Sequence, residues 1–373
     1  MPEISIVLPS YNGDKYIRDA VDSILKQTFG DWELIIVNDC STDGTAAIAE
    51  EYAAMDPRIQ VIHNTTNQKL PESLNIGFRQ VKGKFLTWTS DDNAYLPEAL
   101  ETMYRWLLKE ESVCMVCADM ALIDWAGQII QKADPYNDSL FARRNSVGAC
   151  FLYRAEVLRE VGEYHSQMIY VEDYEYWLRI KMRYGRIGHI SKTLYLYRCH
   201  PESLTEKKQQ KILSQLAELK GTYIDFFLEN LQQEKRYICQ LYYELQENAY
   251  NTEKVRQKIF LHVPELCFER YCPDKRYYIF GAGEMGAYAL DILGPRAVCF
   301  VDNDAGKSGT AIHGKAVISF DEMLRAPERH PVFIAVYDKA VTYDIMHQLY
   351  ENSIREYCSI QYYKAMHYAA KGG

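Results

Sequence analysis

Within the first hundred residues, short apolar runs alternate with amphipathic helical stretches. That alternation limits the chain to an α/β architecture, a sheet with helices on its faces. Ile4–Leu8, Leu34–Val37, Ile59–Ile62 and Phe85–Trp88 are the strand-like runs. Between the first two, Ile17, Ala20, Val21, Ile24 and Leu25 fall at i, i+3, i+4, i+7 and i+8, one face of a helix. Asn12, Gly13 and Asp14 before it are turn and cap residues. An Ala-rich helix over Ala46–Ala54 and a second around Glu72–Gln80 fill the later gaps. Strand–helix–strand order predicts a mostly parallel sheet, and ligands on such sheets gather at the carboxyl ends of the strands. The polar loops Pro9–Asp14, Asn38–Gly44 and Thr89–Asn93 all lie at such ends.

The pattern changes near Thr205. Residues 207–263 lack proline and hold a single glycine, Gly221. Ile212, Leu216, Leu219, Tyr223 and Phe226 recur at 4,3,4,3 spacing, and Ile238, Tyr242, Leu245 and Ala249 repeat the pattern. This stripe serves as intramolecular core or as the seam of a homodimer. From Pro273 a second α/β unit starts, with Tyr277–Phe280, Val298–Val301 and Val332–Val336 as strands. The reading divides the chain into 1–205, a helical linker 206–272, and a small α/β domain 273–373.

Net charge is −9, which disfavours nucleic acid as a partner. The start has no basic segment followed by a long apolar run, and no stretch approaches the length of a membrane span. The expected location is the cytoplasm, with peripheral contact at the inner face of a membrane left open. The ten cysteines are then reduced thiols, and Cys114 and Cys117 sit in an apolar run that reads as a buried strand.

Four constellations carry candidate chemistry. Tyr11 offers a flat face for a nucleobase, and Asp39 a carboxylate for base or ribose; each loop is also an ordinary turn. Asp91 and Asp92 follow a strand, where two carboxylates repel unless something positive joins them. A divalent cation bridging to a diphosphate fits, and so does a helix N-cap before Leu96–Leu107. Glu172 and Asp173 open the helix Tyr174–Tyr184, as dipole partners or as the site of a catalytic base. His200 in the run Tyr197-Arg198-Cys199-His200 is a further metal-ligand or diphosphate candidate.

Order and spacing then matter more than any one motif. IVLPSYN (6–12), IIVNDCSTDGT (35–45), LNIGFRQVKG (74–83), LTWTSDDNAYLP (86–97), GACFLYRAEVLREVG (148–162) and VEDYEYWLR (171–179) run collinearly. In this the chain resembles the family-two inverting glycosyltransferases of the GT-A fold. The resemblance implies a nucleoside-diphosphate sugar donor, UDP-linked by expectation, a bound Mn²⁺ or Mg²⁺, and a saccharide or lipid-linked acceptor in surface glycan synthesis. It places Pro9, Tyr11, Asn12 and Asp39 at the nucleoside, Asn75 near the ribose or diphosphate, Asp91 at the sugar or ribose, Asp92 on the metal, and Asp173 as general base. Two positions depart from the family pattern. Thr89 stands where an acid is frequent, and Leu74 where Arg is, so diphosphate charge falls to Lys69, His200 or the metal.

In the C-terminal unit, Gly281, Gly283 and Gly286 follow a strand and open a helix, and Asp302 lies 21 residues beyond Gly281. That is the dinucleotide fingerprint, and the unit resembles small Rossmann-like domains of sugar-modifying enzymes. NAD, a nucleotide or nucleotide sugar, and a packing role without ligand all remain compatible. Two alternatives to the transferase reading follow: a bifunctional sugar-modifying enzyme, and a non-catalytic nucleotide-sugar-binding protein.

Overall fold

The computed structural model describes residues 1–134 and 136–369. The chain divides into two compact units, Met1–Leu219 and Lys220 onward. The first opens with β1 (Ile4–Ser10), α1 (Ile17–Leu25), β2 (Trp32–Asn38), α2 (Thr45–Met55), β3 (Ile59–His63), α3 (Leu70–Phe78) and β4 (Phe85–Trp88). It continues through β5 (Ala94–Tyr95), α4 (Ala99–Lys109), β6 (Met115–Ile123), β7 (Ile129–Lys132), β8 (Phe151–Arg154), α5 (Ala155–Val161), α6 (Glu172–Tyr184) and β9 (Gly188–Arg198). Two helices follow, α7 (Leu204–Lys207) and α8 (Gln209–Thr222), the latter crossing the unit boundary.

The sheet runs β3-β2-β1-β4-β8-β6-β9-β5, with β7 paired to β6. Its first four strands are parallel. Beyond them β8 is antiparallel to both neighbours, while β6 and β9 pair in parallel. β1 and β2 are buried along their whole length, as parallel strands covered on both faces must be. Helix α1 buries the face expected from its spacing, adding Ser23 and leaving Leu25 half-buried. Ile6, Leu8, Leu34 and Ile36 pack with Ile17, Val21 and Ile24 in one core. Burying each such side chain contributes roughly 1.5–3 kcal/mol, so the strand ends that carry the polar loops rest on a rigid base. Helix α4 starts at Ala99 rather than Leu96, because Ala94 and Tyr95 pair with β9.

The second unit holds α9 (Ile224–Leu231), α10 (Lys235–Glu247), α11 (Glu253–His262), β10 (Tyr277–Phe280), α12 (Glu284–Leu293), β11 (Ala297–Val301), β12 (Ala311–Ile312) and β13 (Lys315–Ile318). It ends with α13 (Phe320–Arg325), β14 (Val332–Ile334), α14 (Lys339–Glu351), β15 (Tyr357–Ser359) and α15 (Ile360–Ala369). Its sheet order is β12-β13-β11-β10-β14-β15, parallel except for the β12–β13 pair. Helix α10 packs against α14 and α15 within this unit. The helical stripe breaks at Tyr223, between α8 and α9. It also stops at Leu245, since Ala249 lies beyond the end of α10 in a left-handed turn at φ 61° and is exposed.

No helix of the described residues is long and apolar enough to cross a membrane. All ten cysteines are free, and Cys114 and Cys117 are buried at and within β6.

Candidate active site

The loops after β1 and β2 are locked together. Asn12, in the left-handed region at φ 56°, accepts a hydrogen bond from the Thr42 N–H at 2.8 Å and donates its own N–H to Ser41 Oγ at 3.0 Å. The Gly13 N–H donates to Thr45 Oγ1 at 2.8 Å. Side-chain–backbone bonds of this kind satisfy loop amides that would otherwise need water. The lock leaves Pro9 buried and Tyr11 projecting, 52% exposed, beside it.

Asp39 is 4% exposed and accepts from Asn64 Nδ2 at 2.8 Å, from the Gln68 N–H at 2.7 Å and from the Lys69 N–H at 3.0 Å. The 64–69 loop is therefore wrapped around one carboxylate. Lys69 sits at its end with φ 70°, its backbone held there by Asp39 and its side chain exposed. Asn75 is also spent inside the protein. Its amide exchanges two bonds with the backbone of Tyr164, at 2.8 and 2.9 Å, and its second N–H reaches Glu72 at 3.3 Å. It braces α3 against the 162–171 segment.

At the end of β4 the two acids take separate paths. Asp91 Oδ2 accepts from the Ser10 hydroxyl. A Cβ on Gly13 would enter this same carboxylate, so only glycine lets the 10–13 loop close over it. Burial, and then the charge of Asp92, push the Asp91 carboxyl up to about 7 against the opposing Ser10 bond. Asp92 Oδ2 lies 3.1 Å from His200 Nε2. Its Oδ1 and the His200 Nδ1 are buried without a hydrogen-bond partner. Thr89 is 2% exposed, and its hydroxyl lies 2.6 Å from the Tyr195 hydroxyl on β9.

Among the described residues no group of three His, Cys, Asp or Glu side chains converges on one point. A self-contained protein metal centre is thus not built here. An Asp–His pair with an orphaned carboxylate oxygen does fit a Mg²⁺- or Mn²⁺-type cation whose remaining ligands are diphosphate oxygens and water.

At the start of α6, Asp173 Oδ2 accepts from Asn145 Nδ2 at 2.8 Å, and burial raises its carboxyl above the ordinary range against that bond and the Tyr174 N–H. Glu172 is 6% exposed with Oε2 unpartnered; burial, and then Asp173, push it up to about 8. Burial thus pushes both carboxyls up, and the charge of Asp173 adds to the rise at Glu172. The Tyr197 phenol is raised by burial and, against its Thr205 bond, by the charges of both Asp92 and Asp173.

The sequence reading singled out His200 but passed over its neighbour Arg198. Arg198 is 4% exposed; its N–H donates to Asn93 Oδ1 at 2.8 Å and its Nε to the Asp92 carbonyl at 2.9 Å. The contacts of Ser10 with Asp91 and of Asn145 with Asp173 likewise emerge only in three dimensions. The one available signal for Arg198 was its place two residues before His200.

In the second unit, Gly281 adopts φ 109°, and a Cβ there would press on the Ala335 carbonyl. Gly286 packs closely on Gly281, while Gly283 faces open space. The Asp302 carboxylate is engaged within its own loops, by the N–H groups of Ala282 (2.8 Å) and Asp304 (2.9 Å) and by Lys307 Nζ (3.1 Å). Burial alone would raise it, but these donors hold it below the usual carboxylate value.

Comparison with known proteins bears on the family and the fold. The glycosyl transferase family 2 profile matches residues 5–162. An uncharacterized glycosyltransferase of Rickettsia prowazekii, RP339, is 30% identical over 246 residues, covering 63% of this chain and 74% of that one. S. aureus TarS 1–349 in complex with UDP-GlcNAc matches with TM-score 0.53 and 17% identity over 72% of this chain and 83% of that one. The mannosyltransferase PcManGT of Pyrobaculum calidifontis, in complex with GDP-Man and Mn²⁺, matches with TM-score 0.52 and 14% identity over 78% and 79%. At these identities the two structures establish the fold.

Proposed function

Since the chain belongs to glycosyl transferase family 2, we propose that it moves a sugar, with inversion, from a nucleoside-diphosphate donor to a hydroxyl of a saccharide or lipid-linked acceptor. The observation that carries this reading is the Asp92–His200 pair, 3.1 Å apart with a buried, unpartnered carboxylate oxygen beside the Ser10–Asp91 bond. TarS holding UDP-GlcNAc and PcManGT holding GDP-Man and Mn²⁺ support a donor of this class, and uracil is the base we assign, in a UDP-linked donor.

In this account Pro9, Tyr11 and Asn12 form the nucleoside wall, and Asp39 keeps lone pairs for it beyond its three protein bonds. Asn75 acts as a brace of that wall. Exposed Lys69 supplies positive charge at the rim. Asp91 faces the sugar or ribose, and its raised carboxyl donates or accepts according to pH. Asp92 and His200 would hold a Mn²⁺ or Mg²⁺ ion. When bound, such an ion stabilises charge on the departing diphosphate.

Asp173 takes the proton of the acceptor hydroxyl as that oxygen attacks the anomeric carbon. The bond to the diphosphate breaks on the opposite face, and its electron pair leaves with the diphosphate. A carboxylate that burial holds above its ordinary range is a stronger base than a free one, which suits this task.

The test is UDP release from UDP-GlcNAc and related donors with Mn²⁺, in the protein and in Asp173→Asn. The variant should bind donor normally and turn over at least about 10²-fold more slowly. Near-normal turnover would remove Asp173 from the role.

A further inference from the structure

Arg198 at the end of β9 makes more contacts than closing a strand requires. Its Nε holds the Asp92 carbonyl at 2.9 Å, and its backbone N–H holds the Asn93 side chain at 2.8 Å. One terminal nitrogen donates to the carbonyls of Trp125 (3.2 Å) and Asp124 (3.4 Å) in the turn between β6 and β7. The other pairs with Asp19 on α1 at 2.9 Å. The guanidinium carbon lies over the Tyr16 ring, 4.5 Å from its centroid, and the His200 ring also meets Tyr16, at 5.1 Å between centroids. Arg198 therefore backs both members of the Asp92–His200 pair, one through the main chain of Asp92 and one through the Tyr16 ring.

The turn it grips is itself held by hydrogen bonds to Asp124. The Ala126 and Gln128 N–H groups both donate to Asp124 Oδ1 at 2.9 Å, and the Asp124 N–H donates to the Gln128 carbonyl at 2.9 Å. It displays Trp125, 66% exposed, in a fixed place.

Resting on the donor-site reading above, we propose that Arg198 is a positioning residue that sets the spacing of Asp92 and His200 and ties the 124–128 turn to the same point. The planar five-donor fork is what the role needs. A lysine ammonium offers charge without the fork geometry and without a face to stack on Tyr16. Partners that orient metal ligands are commonly worth 10–100-fold in metal affinity.

The test uses the full chain with Arg198→Lys and two readouts. In the absence of nucleotide, hydrogen exchange at segments 89–95 and 124–128 should accelerate together while residues 4–10 of β1 keep their protection. In calorimetry with UDP, affinity in the presence of Mn²⁺ should fall about tenfold, and affinity in EDTA should stay as in the parent. Unchanged exchange at 89–95, Mn²⁺-dependent affinity within about twofold of the parent, or equal loss with and without Mn²⁺ would each overturn the proposal. Should the parent protein show no Mn²⁺-dependent UDP binding, the donor-site reading fails on its own account and the exchange result alone decides the positioning role. Should Arg198→Lys not fold, Tyr16→Leu removes the link to His200. It should weaken Mn²⁺-dependent binding several-fold with exchange at 124–128 unchanged, and parental affinity would again refute the proposal.

Discussion

Placing an acid at position 89, where the family often carries one, should damage this protein rather than add a metal ligand. The Thr89 side chain is 2% exposed, and its hydroxyl is engaged by the buried Tyr195 hydroxyl 2.6 Å away. An aspartate there would be as desolvated as neighbouring Asp91, whose carboxyl rises from 3.8 to about 7. That difference of 3.2, at 1.36 kcal/mol per unit, makes the charged form unfavourable by about 4 kcal/mol. The sign follows from linkage. A carboxyl whose folded value is raised is tolerated below its unfolded value and costs stability as pH rises through its folded value. Thr89→Asp should therefore lose about 4 kcal/mol at pH 8 and only about 2 kcal/mol at pH 5. Thr89→Asn, which cannot ionise, should show no such pH dependence. Urea unfolding of the three proteins at both pH values measures this. A Thr89→Asp protein as stable as the parent at pH 8, binding Mn²⁺ and UDP more tightly, would show that this side chain faces the site and that the reasoning is wrong.

Two further outcomes are expected. Glu269, 6% exposed, accepts from Tyr243 at 2.8 Å and from the Ser359 N–H at 2.9 Å through one oxygen, leaves the other unpartnered, and is pushed up to about 7 by burial. Its stabilising, protonated state is complete below pH 4.5 and lost as pH rises through 7, so Glu269→Gln should be more stable than the parent by up to about 3 kcal/mol at pH 8 and indistinguishable near pH 4.5; a pH-independent difference would contradict this. Asn145→Ala removes the donor that favours the charged form of Asp173, so the acid limb of the pH–rate profile should move to higher pH, and a limb that stays in place would detach Asn145 from the base.

The parallel half of the sheet was legible because its information is local. Runs such as Ile4–Leu8 and Leu34–Val37 and the α1 stripe report their own burial through period and composition. β9 escaped because its 11 residues mix His, Ser, Lys and Thr with Leu and Tyr, and its pairing with β6 shifts register twice, so no period survives along it. The candidate acids were visible as motifs, but their partners were not. That Asp91 is closed over by Ser10 and Gly13, and Asp92 faced by His200, depends on contacts between residues about 80 to 110 positions apart. The same holds for Asp39 and Asn75, read from the sequence as ligand contacts. Their hydrogen bonds to backbone groups of the 64–69 loop and of Tyr164 appear only once the chain is folded. Arg198 carries no periodic or compositional signal, since a buried arginine is explained only by what it bonds.

The account turns on a cation shared between Asp92, His200 and a diphosphate. Calorimetric titration of UDP into the protein and into Asp92→Ala, each with Mn²⁺ and with EDTA, examines that claim. The parent should bind UDP more tightly with Mn²⁺, and the variant should lose that increment while keeping the metal-free affinity. Equal affinities with and without Mn²⁺ in the parent, or an undiminished increment in Asp92→Ala, would contradict it.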